Sequence, residues 1–281
     1  MNLSRPVTKL FDLRDRVAII TGGAGMLGMQ HGAAIAEANG HVVVADLSEE
    51  VVARAAAEIT SAHGVEAFGV KVDITDKPQV ENMVSAVTQK FGRIDILINN
   101  AALTVKGGGQ AAANYFAPFE DYPLELWEKA LQVNLTGMFL CCQAVGKVML
   151  AQRAGVILNV ASDVGNISPD HRIYKGVANP YTGDAFNTPV AYATTKAGVI
   201  NFTRYLATYW ADNGIRVNCI SPGSVYADHD PQFVKNLTSR IPLGRVAKVD
   251  EYKGVILFLV SDASSYMTGA NLIVDGGRTA W

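Results

Sequence analysis

The feature that most constrains the fold of this chain is a regular alternation of short β-branched runs with longer helical patterns. The predicted strands are 17–21, 41–46, 66–73, 94–100, 155–162, 215–221 and 271–276. The predicted helices between them are 27–39, 49–63, 76–91, 124–152, 190–213 and 250–262, with Gly40 as the C-terminal cap of the first. Because most strands are apolar nearly throughout, the pattern indicates a parallel α/β sheet covered on both faces by helices.

Composition limits the classes of protein that this chain can belong to. Its 281 residues are 49% hydrophobic, which suffices for one large core, and no repeat or linker divides residues 1–281, so a single domain is predicted. A net charge of −2 with mixed signs argues against nucleic-acid and membrane partners. Cys141, Cys142 and Cys219 have neither disulfide nor zinc spacing and are predicted to be buried, reduced thiols. Without a secretory signal or an apolar run of membrane-spanning length, we expect a soluble, cytoplasmic protein.

Two loops interrupt the alternation, near 103–123 and 163–189, and both are rich in Gly, Pro and Asn. Each follows the carboxyl end of a predicted central strand, which is where open parallel sheets bind their ligands. Long loops in a compact domain are commonly lids or binding loops. We therefore expect these two inserted loops to bind the substrate.

The stretch "IITGGAGMLG" at 19–28 joins the first strand to the first helix through four glycines. Its glycines fit G-x-G-x-x-G at Gly23, Gly25 and Gly28, or T-G-x-x-G-x-x-G from Thr21, whereas T-G-x-x-x-G-x-G lacks its middle glycine because Met26 stands there. Every frame gives a tight turn into a helix N-terminus, which suits a pyrophosphate. The predicted contacts of a dinucleotide are Gly22, Gly25, Met26, Leu27 and Gly28.

Acidic residues at the next two strand ends extend this prediction. Asp46 lies 18 residues after Gly28, where a carboxylate accepts hydrogen bonds from an adenosine ribose and repels a 2′-phosphate. The sequence thus favours NAD over NADP, with Leu47 beside the ribose; the alternative for Asp46 is a solvated strand-end carboxylate. Asp73 and Ile74 are placed near the adenine. The "NNAA" turn, with Asn100, Ala101 and Ala102, leaves room for a flat ligand to approach the backbone.

The segment "YATTK" places Tyr192 and Lys196 at i and i+4 on one helix face. A nearby ammonium favours the phenolate, so Tyr192 is a candidate acid/base for a substrate hydroxyl. By itself, this spacing is also common on surface helices.

The motifs together resemble the short-chain dehydrogenase/reductase family, in its short single-domain branch. Matching pieces run along essentially the whole chain: "TGGAGMLG", Asp46, "KVDIT", "NNAA", "VNLTG", "NVAS", "YATTK", "RVNCISPG" and "TGANLIVDGG". The resemblance implies a three-layer Rossmann fold with a doubly wound, mainly seven-stranded parallel sheet. It also implies a catalytic tetrad. Asn134 orders a water relay, Ser162 holds the substrate oxygen, Tyr192 is the acid/base, and Lys196 binds the nicotinamide ribose and lowers the tyrosine pKa. Pro222, Gly223 and Val225 line the nicotinamide.

The chain departs from the family's short branch at several positions. Met26 replaces a usual glycine, and Tyr192 lies 30 positions after Ser162, a longer gap than is usual in that branch. Both features lean toward the long, sugar-nucleotide-modifying branch. Only 89 residues follow Tyr192, however, and their motifs match the C-terminal sequence pattern of the short branch. We therefore predict a short-branch scaffold with an inserted lid. Ala102 replaces a usual glycine, and Ala227 replaces a threonine that often contacts the carboxamide.

The predicted activity is NAD-dependent interconversion of a secondary alcohol and a ketone. Polar loop residues suggest a sugar, sugar acid, sugar phosphate or polyol as substrate: Lys106, Asn114, Tyr115, Asp170, His171, Arg172, Tyr174, Lys175 and Asp184. Two alternatives stay open, a sugar epimerase or dehydratase with tightly bound NAD and a non-catalytic dinucleotide sensor. The resemblance further implies a homotetramer, or a homodimer, and Trp281 is expected to pack on a neighbouring subunit or over its own site.

Overall fold

One parallel sheet forms the centre of the molecule. The computed structural model describes residues 5–103, 110–179, 183 and 187–281. The strand order is β3-β2-β1-β4-β5-β6-β7 and every neighbouring pair is parallel. The strands are β1 (Val17–Thr21), β2 (His41–Asp46), β3 (Ala67–Lys71), β4 (Ile96–Asn99), β5 (Gly155–Val160), β6 (Ile215–Pro222) and β7 (Asn271–Val274). The predicted doubly wound Rossmann sheet is confirmed, and its order reverses between β1 and β4, where such sheets bind ligands.

Helices cover both faces of the sheet. In chain order they are α1 (Met26–Glu37), α2 (Glu49–His63), α3 (Lys77–Phe91), α4 (Gln110–Tyr115), α5 (Leu124–Leu131), α6 (Met138–Gln152), α7 (Val190–Tyr209), α8 (Pro231–Thr238) and α9 (Lys253–Val260). A π-helical segment, Gln132–Gly137, joins α5 to α6. Short 3₁₀ turns follow β5 at Asp163–Gly165 and His171–Tyr174.

Alternate residues of the strands enter two separate hydrophobic cores. Ile19, Leu97 and Ile157 belong to the core that includes residues of α3, α6 and α7. Ile20 and Ile98 belong to the opposite core, with residues of α1, α2 and α9. Since β1 and β4 are buried along their whole length, their continuous apolar sequence is explained by burial on both faces.

The three cysteines are buried and unpaired, as predicted. Cys141 and Cys142 lie on α6 and are less than 2% exposed, at 0% and 1%. Burial raises the pKa of each thiol, that of Cys142 to about 12. These side chains therefore pack as small apolar groups within the core.

The end of α1 differs from the prediction by one residue. The helix ends at Glu37, and Asn39, not Gly40, adopts the left-handed conformation, at φ 70°. The N–H groups of Asn39 and Gly40 donate to the carbonyls of Ala36 and Ile35, at 2.9 and 3.0 Å. This is a Schellman motif with asparagine in the left-handed position, and the prediction of Gly40 as the cap is wrong.

The continuous helix predicted for 124–152 is interrupted by the π-helical segment. Sequence periodicity does not reveal such a turn, because the apolar residues on either side still fit a helical pattern. Other boundaries also shift: α7 ends at Tyr209 rather than 213, and α9 spans less than 250–262. The prediction omitted α8, although Asp230 caps it by accepting from the N–H groups of Gln232 and Phe233 and Pro231 begins it.

The stretch Leu124–Gln152 reaches the length and mean hydropathy of a membrane-spanning helix, contrary to the expectation that no apolar run is long enough. Half of its most apolar 18-residue stretch is buried inside the protein. Met138, Val145 and Met149 pack in the core beside α7. The apolar character of this stretch is thus accounted for by packing within the fold.

Candidate functional site

The predicted catalytic residues converge at the carboxyl end of the sheet. Ser162 lies just beyond β5, Tyr192 and Lys196 lie on the first turns of α7, and Asn134 lies in the π-helical segment. The Tyr192 hydroxyl lies close enough to Ser162 for the serine to lower the pKa of the phenol, against the larger effect of burial. The Lys196 Nζ atom lies 5.7 Å from the centroid of the Tyr192 ring. The structure therefore brings serine, tyrosine and lysine into one cluster.

Lys196 is buried, at 3% exposure, and its Nζ donates to the Val160 carbonyl at 2.7 Å. Burial lowers the pKa of Lys196 to about 8. The expectation that Lys196 lowers the tyrosine pKa is not met in the chain alone. The pKa of Tyr192 is raised, first by burial and then by the Asp163 charge, while only the hydrogen bond from Ser162 opposes this. The reason is that desolvation of the phenolate outweighs the hydrogen bond.

Asn134 is 2% exposed and has both ends of its amide engaged. Its Oδ1 accepts from the Leu103 N–H at 2.7 Å, and its Nδ2 donates to Thr195 Oγ1 at 2.9 Å. Thr195 precedes Lys196 on α7. The amide thus connects the loop after β4 with the helix that carries the tyrosine and lysine, which fixes the spacing of those two elements. A π-helical turn at such a position is common at functional sites.

The glycine turn explains why Met26 is tolerated. Only Gly22 of this turn has a positive φ, 60°, and a β-carbon there would lie 2.9 Å from the Ala101 Cα. Met26 begins α1 in ordinary helical conformation. A β-carbon at Gly28 would lie 2.3 Å from the Gly22 carbonyl oxygen, so this position must be glycine for the helix to pack on the turn. A β-carbon at Gly23 would also lie 2.7 Å from the Ile20 carbonyl oxygen, so the turn requires Gly22, Gly23 and Gly28 and leaves position 26 free.

The first turn of α1 fits a phosphate. Its N-cap is Gly25, which has no side chain to occupy the helix amides, and the first turn has no acidic residue. Unoccupied amide N–H groups and the positive end of the helix dipole favour an anion. The N–H groups of Met26, Leu27 and Gly28 lie in this first turn. The donor set therefore suits the pyrophosphate of a dinucleotide.

Asp46 lies against the glycine turn. Its Oδ2 accepts from the Ala24 N–H at 3.2 Å and its Oδ1 accepts from the Leu47 N–H at 2.8 Å. Leu47 is exposed, and Ser48, Glu49 and Glu50 follow, so no cation stands next to the carboxylate in sequence. A held carboxylate with acidic neighbours suits a ribose diol better than a phosphate.

The strand-end residues predicted to lie near the adenine differ in what their side chains contact. Asp73 lies beyond the end of β3, and its carboxylate accepts from the backbone and hydroxyl of Thr75. The Ile74 side chain is buried beside Gly137, so it is not presented to a ligand. Asp76 caps α3 by accepting from the Gln79 N–H.

Asn100 holds the glycine turn from the neighbouring strand. Its Nδ2 donates to the carbonyls of Thr21 and Gly22, at 3.1 and 3.0 Å, and Thr21 Oγ1 accepts from the N–H groups of Asn100 and Ala101. Asn100 was predicted to contact the cofactor, and in the structure its side chain also fixes the shape of the glycine turn. Ala102, two positions after Asn100, carries only a methyl side chain.

The Pro222–Gly223 turn continues β6 toward the same edge of the sheet. The Gly223 N–H donates to the Val274 carbonyl at 2.9 Å, and its carbonyl accepts from the Tyr252 hydroxyl at 3.0 Å. Val225 forms a bridge with Ala247. The turn is therefore held by the backbone of β7, by the N-cap residue of α9, Tyr252, and by Ala247, which precedes α9.

Some of the polar loop residues predicted to bind the substrate line two different cavities. His171, Tyr122 and Asn187 line a cavity of about 400 Å³ beside the first turn of α7, where Val190 and Ala193 flank Tyr192. Lys106 and Asp184 lie outside the described residues.

Arg172, expected to bind an anionic substrate, pairs instead with Asp170, Nε to Oδ1 at 2.8 Å. It lines a separate outer cavity with Lys175 and Arg240. Tyr115 and Tyr174 are largely buried, and the Tyr115 hydroxyl donates to the Leu103 carbonyl. Of the polar loop residues predicted to bind substrate, His171 lines the cavity at the first turn of α7, and the Tyr115 phenol interacts electrostatically with that of Tyr192.

The sequence did not indicate several residues that build this site. Thr195 and Thr21 lie inside recognised motifs, but nothing in a motif shows what a hydroxyl contacts. Asp163 accepts a hydrogen bond from Ser162 Oγ at 2.9 Å, so the serine proton is committed to this carboxylate. Its other oxygen accepts from Arg278, which lies 115 positions away. Adjacency to Ser162 was the only available signal for Asp163.

Comparison with known proteins gives matches along most of the chain. A family model described as short chain dehydrogenase matches residues 16–174, and one described as Enoyl-(Acyl carrier protein) reductase matches residues 181–279. D-threitol dehydrogenase of Mycolicibacterium smegmatis is 34% identical over 274 residues, covering 96% of this chain and 95% of that protein. NAD-dependent glycerol dehydrogenase of Listeria innocua is 33% identical over 276 residues, covering 96% of each.

A solved structure agrees with the fold in detail. The gluconate 5-dehydrogenase from Burkholderia cenocepacia, in complex with NADP and tartrate, superposes with a TM-score of 0.85 at 30% identity. The match covers 98% of this chain and 100% of that chain. The relatives thus include proteins named for polyol and sugar-acid oxidation, and both dinucleotides occur among them.

Proposed function

This chain belongs to the short-chain dehydrogenase/reductase family, and from that membership we propose that it oxidises a secondary alcohol of a polyol or sugar acid to the ketone with NAD. At the coarser level, the chain is an alcohol oxidoreductase of this family. The observation that carries the proposal is the cluster of Ser162, Tyr192 and Lys196 at the sheet edge beside an uncapped helix N-terminus.

In this proposal Tyr192 accepts the proton of the substrate hydroxyl. Ser162 lies next to the tyrosine hydroxyl and orients the reacting oxygen. Lys196 binds the nicotinamide ribose, as in the family pattern, and Asn134 holds the adjoining loop and helix together. When bound, NAD supplies the hydride acceptor. Ser162 and Lys196 are buried and Tyr192 is partly buried, which limits the access of bulk water to the reacting atoms.

We propose NAD rather than NADP on the strength of Asp46. Replacing Asp46 with alanine and Leu47 with arginine is expected to reverse the preference, because this removes the charge that repels a 2′-phosphate and adds one that attracts it. The NAD/NADP ratio of kcat/KM is expected to change by roughly 10²-fold, about 3 kcal/mol.

The matched control is Glu50→Ala with Ser48→Arg. It changes charge equally nearby and is expected to leave the ratio within about threefold of the unaltered protein. An unaltered protein that already prefers NADP would contradict this assignment.

A polar substrate is proposed because the cavity at the first turn of α7, the helix that carries Tyr192, is lined by Ser168, His171, Asn187 and Thr188, together with Glu120. These groups offer hydrogen-bond donors and acceptors to several hydroxyls. Three of the relatives are named for the same class, as D-threitol, glycerol and gluconate dehydrogenases, while others of similar identity are named for hydroxycyclohexanecarboxylates.

The test is NADH absorbance with a panel of tetritols, pentitols, hexitols, sugar acids, sugar phosphates and simple or cyclic secondary alcohols. Turnover restricted to polyols or sugar acids is the expected result. Preference for cyclic or simple alcohols would overturn the substrate class but keep the reaction. If dinucleotide copurifies with the protein and the protein interconverts sugars without net formation of NADH, the epimerase alternative would be favoured. Stabilisation by NAD without turnover would favour a sensor.

We further propose a cytoplasmic homotetramer, with a homodimer as the alternative. Large exposed side chains on α6 and α7 support an interface, among them Phe139, Tyr205 and Tyr209, which are 45%, 61% and 66% exposed. Trp281, 78% exposed in the single chain, is expected to be covered in the assembly. Sedimentation equilibrium should give four times the 30.0 kDa chain mass, and a monomer would contradict the proposal.

A further inference from the structure

The last turn of the chain directs a buried arginine into the catalytic site. After β7, Gly276 and Gly277 both adopt positive φ, 67° and 89°, and a β-carbon on either would lie within 3 Å of Ile241 or Pro242, at 2.7 and 2.9 Å. The Asp275 carboxylate holds this turn by accepting from the N–H groups of Gly277 and Thr279, at 2.8 and 2.7 Å. The backbone thereby reverses, and Arg278 is buried.

Arg278 forms a buried ion pair with Asp163. The Nη1–Oδ2 distance is 2.7 Å, and the two side chains are 5% and 3% exposed. Every other ion pair among the described residues has at least one side chain more exposed than either of these. Burying two charges is costly unless both are fully paired, so such a pair commonly serves a purpose other than stability.

The Asp163 carboxylate is held on both oxygens. Oδ2 accepts from Arg278, while Oδ1 accepts from the Val164 N–H at 2.8 Å and from the Ser162 hydroxyl at 2.9 Å. An ionised carboxylate only accepts hydrogen bonds, so the Ser162 proton points to Asp163. The direction of the Ser162 hydroxyl is therefore set by Asp163.

We propose that Asp163, fixed by Arg278, is a positioning residue that sets the direction of the Ser162 hydroxyl in the reaction centre. The chain Arg278–Asp163–Ser162–Tyr192 links the C-terminal turn to the acid/base. This inference rests on the proposed dehydrogenase function. The "DGGR" segment at 275–278 thus supplies Arg278, the cation that holds the Asp163 carboxylate in place.

The test is a double-mutant cycle on kcat between Asp163→Asn and Ser162→Ala. Asp163→Asn presents an amide donor to either Ser162 or Arg278, so it breaks the chain without changing side-chain size. We expect kcat to fall about tenfold to a hundredfold, as for a small misplacement of a reacting group, with the KM for NAD unchanged. In the Ser162→Ala background the same change is expected to cost at least about fivefold less in kcat, because the part that acts through the serine is gone and only the effect of the Asp163 charge on Tyr192 remains.

The matched control is Asp95→Asn at the opposite end of the sheet. Asp95 is also buried, also paired with an arginine, Arg93, and also accepts a backbone N–H, that of Val17. This variant is expected to lower Tm while kcat stays within about twofold. If Asp163→Asn does not fold, Arg278→Lys gives the same comparison in both backgrounds.

Two results would overturn the inference: a kcat for Asp163→Asn that matches Asp95→Asn, or an equal loss in the Ser162→Ala background. Both require an active unaltered protein. An unaltered protein that turns over no alcohol with either dinucleotide would contradict the proposed function itself, and with it this inference.

Discussion

Replacing Tyr192 with phenylalanine is expected to lower kcat by about 10³-fold or more, since a single positioned acid/base contributes roughly 10²–10⁴-fold. The phenol is the group in the site that lies next to Ser162, with the Lys196 ammonium over its ring. Phenylalanine keeps the ring, so packing on α7 should persist. The measurement is kcat at saturating NAD and alcohol, together with the rise in Tm that NAD causes.

The control for this change is Tyr266→Phe, which removes a fully exposed phenol far along the chain. Its kcat should equal that of the unaltered protein. NAD should still stabilise Tyr192→Phe, because the glycine turn and Asp46 are untouched. Residual activity within tenfold of the unaltered protein would show that another group transfers the proton.

Replacing Lys196 with methionine is expected to have two opposite effects. Turnover should fall by about 10²-fold or more, because the charge beside Tyr192 is lost. Stability without NAD should rise at pH 7, since the lysine is buried and its pKa is lowered to about 8. Each unit of pKa is worth about 1.4 kcal/mol, so the gain is on the order of 1–3 kcal/mol, reduced by the lost bond to Val160.

The pH dependence of this gain has a definite sign. The folded protein binds the Lys196 proton less tightly than the unfolded chain, whose lysines keep the ordinary pKa of 10.5. The cost of the lysine is therefore full below pH 8 and disappears as the pH rises from 8 to 10.5. Urea unfolding at pH 7 and pH 10 measures it, and the advantage of Lys196→Met should shrink at the higher pH.

Lys147→Met is the matched control, because Lys147 is exposed on α6. It should change neither the free energy of unfolding nor its pH dependence beyond about 0.5 kcal/mol. A Lys196→Met variant that is less stable than the unaltered protein at pH 7 would contradict the explanation from burial.

Strands and the positions of the site residues were predictable because they depend on local pattern. "VAIIT" and "IDILINN" contain continuous β-branched and apolar residues, which a sheet covered on both faces requires. The glycine turn and the i, i+4 spacing of Tyr192 and Lys196 are likewise local. The strand order and the placement of Ser162 beside Tyr192 then follow from the rules of parallel sheets and the family pattern.

Other features depend on contacts between distant residues and could not be derived. The pairing of Asp163 with Arg278 joins positions 115 apart, and neither side chain has a signal that names the other. The Tyr192 pKa could not be predicted in direction, because the spacing to Lys196 shows a favourable charge but not the burial that opposes it. The roles of Asn100 and Thr21 in holding the glycine turn also appear only in three dimensions.

The π-helical segment Gln132–Gly137 has a consequence for how this helix tolerates insertions and deletions. Its wider turn accommodates about one residue more than an α-helical turn, so α5 and α6 are out of phase by about 100° relative to a continuous α-helix. Deleting one residue here would convert the segment to α-helix and rotate either Ala130 or Cys142 out of the interior. The extra residue of the π-helical segment therefore cannot be deleted without moving α5 relative to α6. The hydrogen bond from Asn134 to Thr195 depends on its presence.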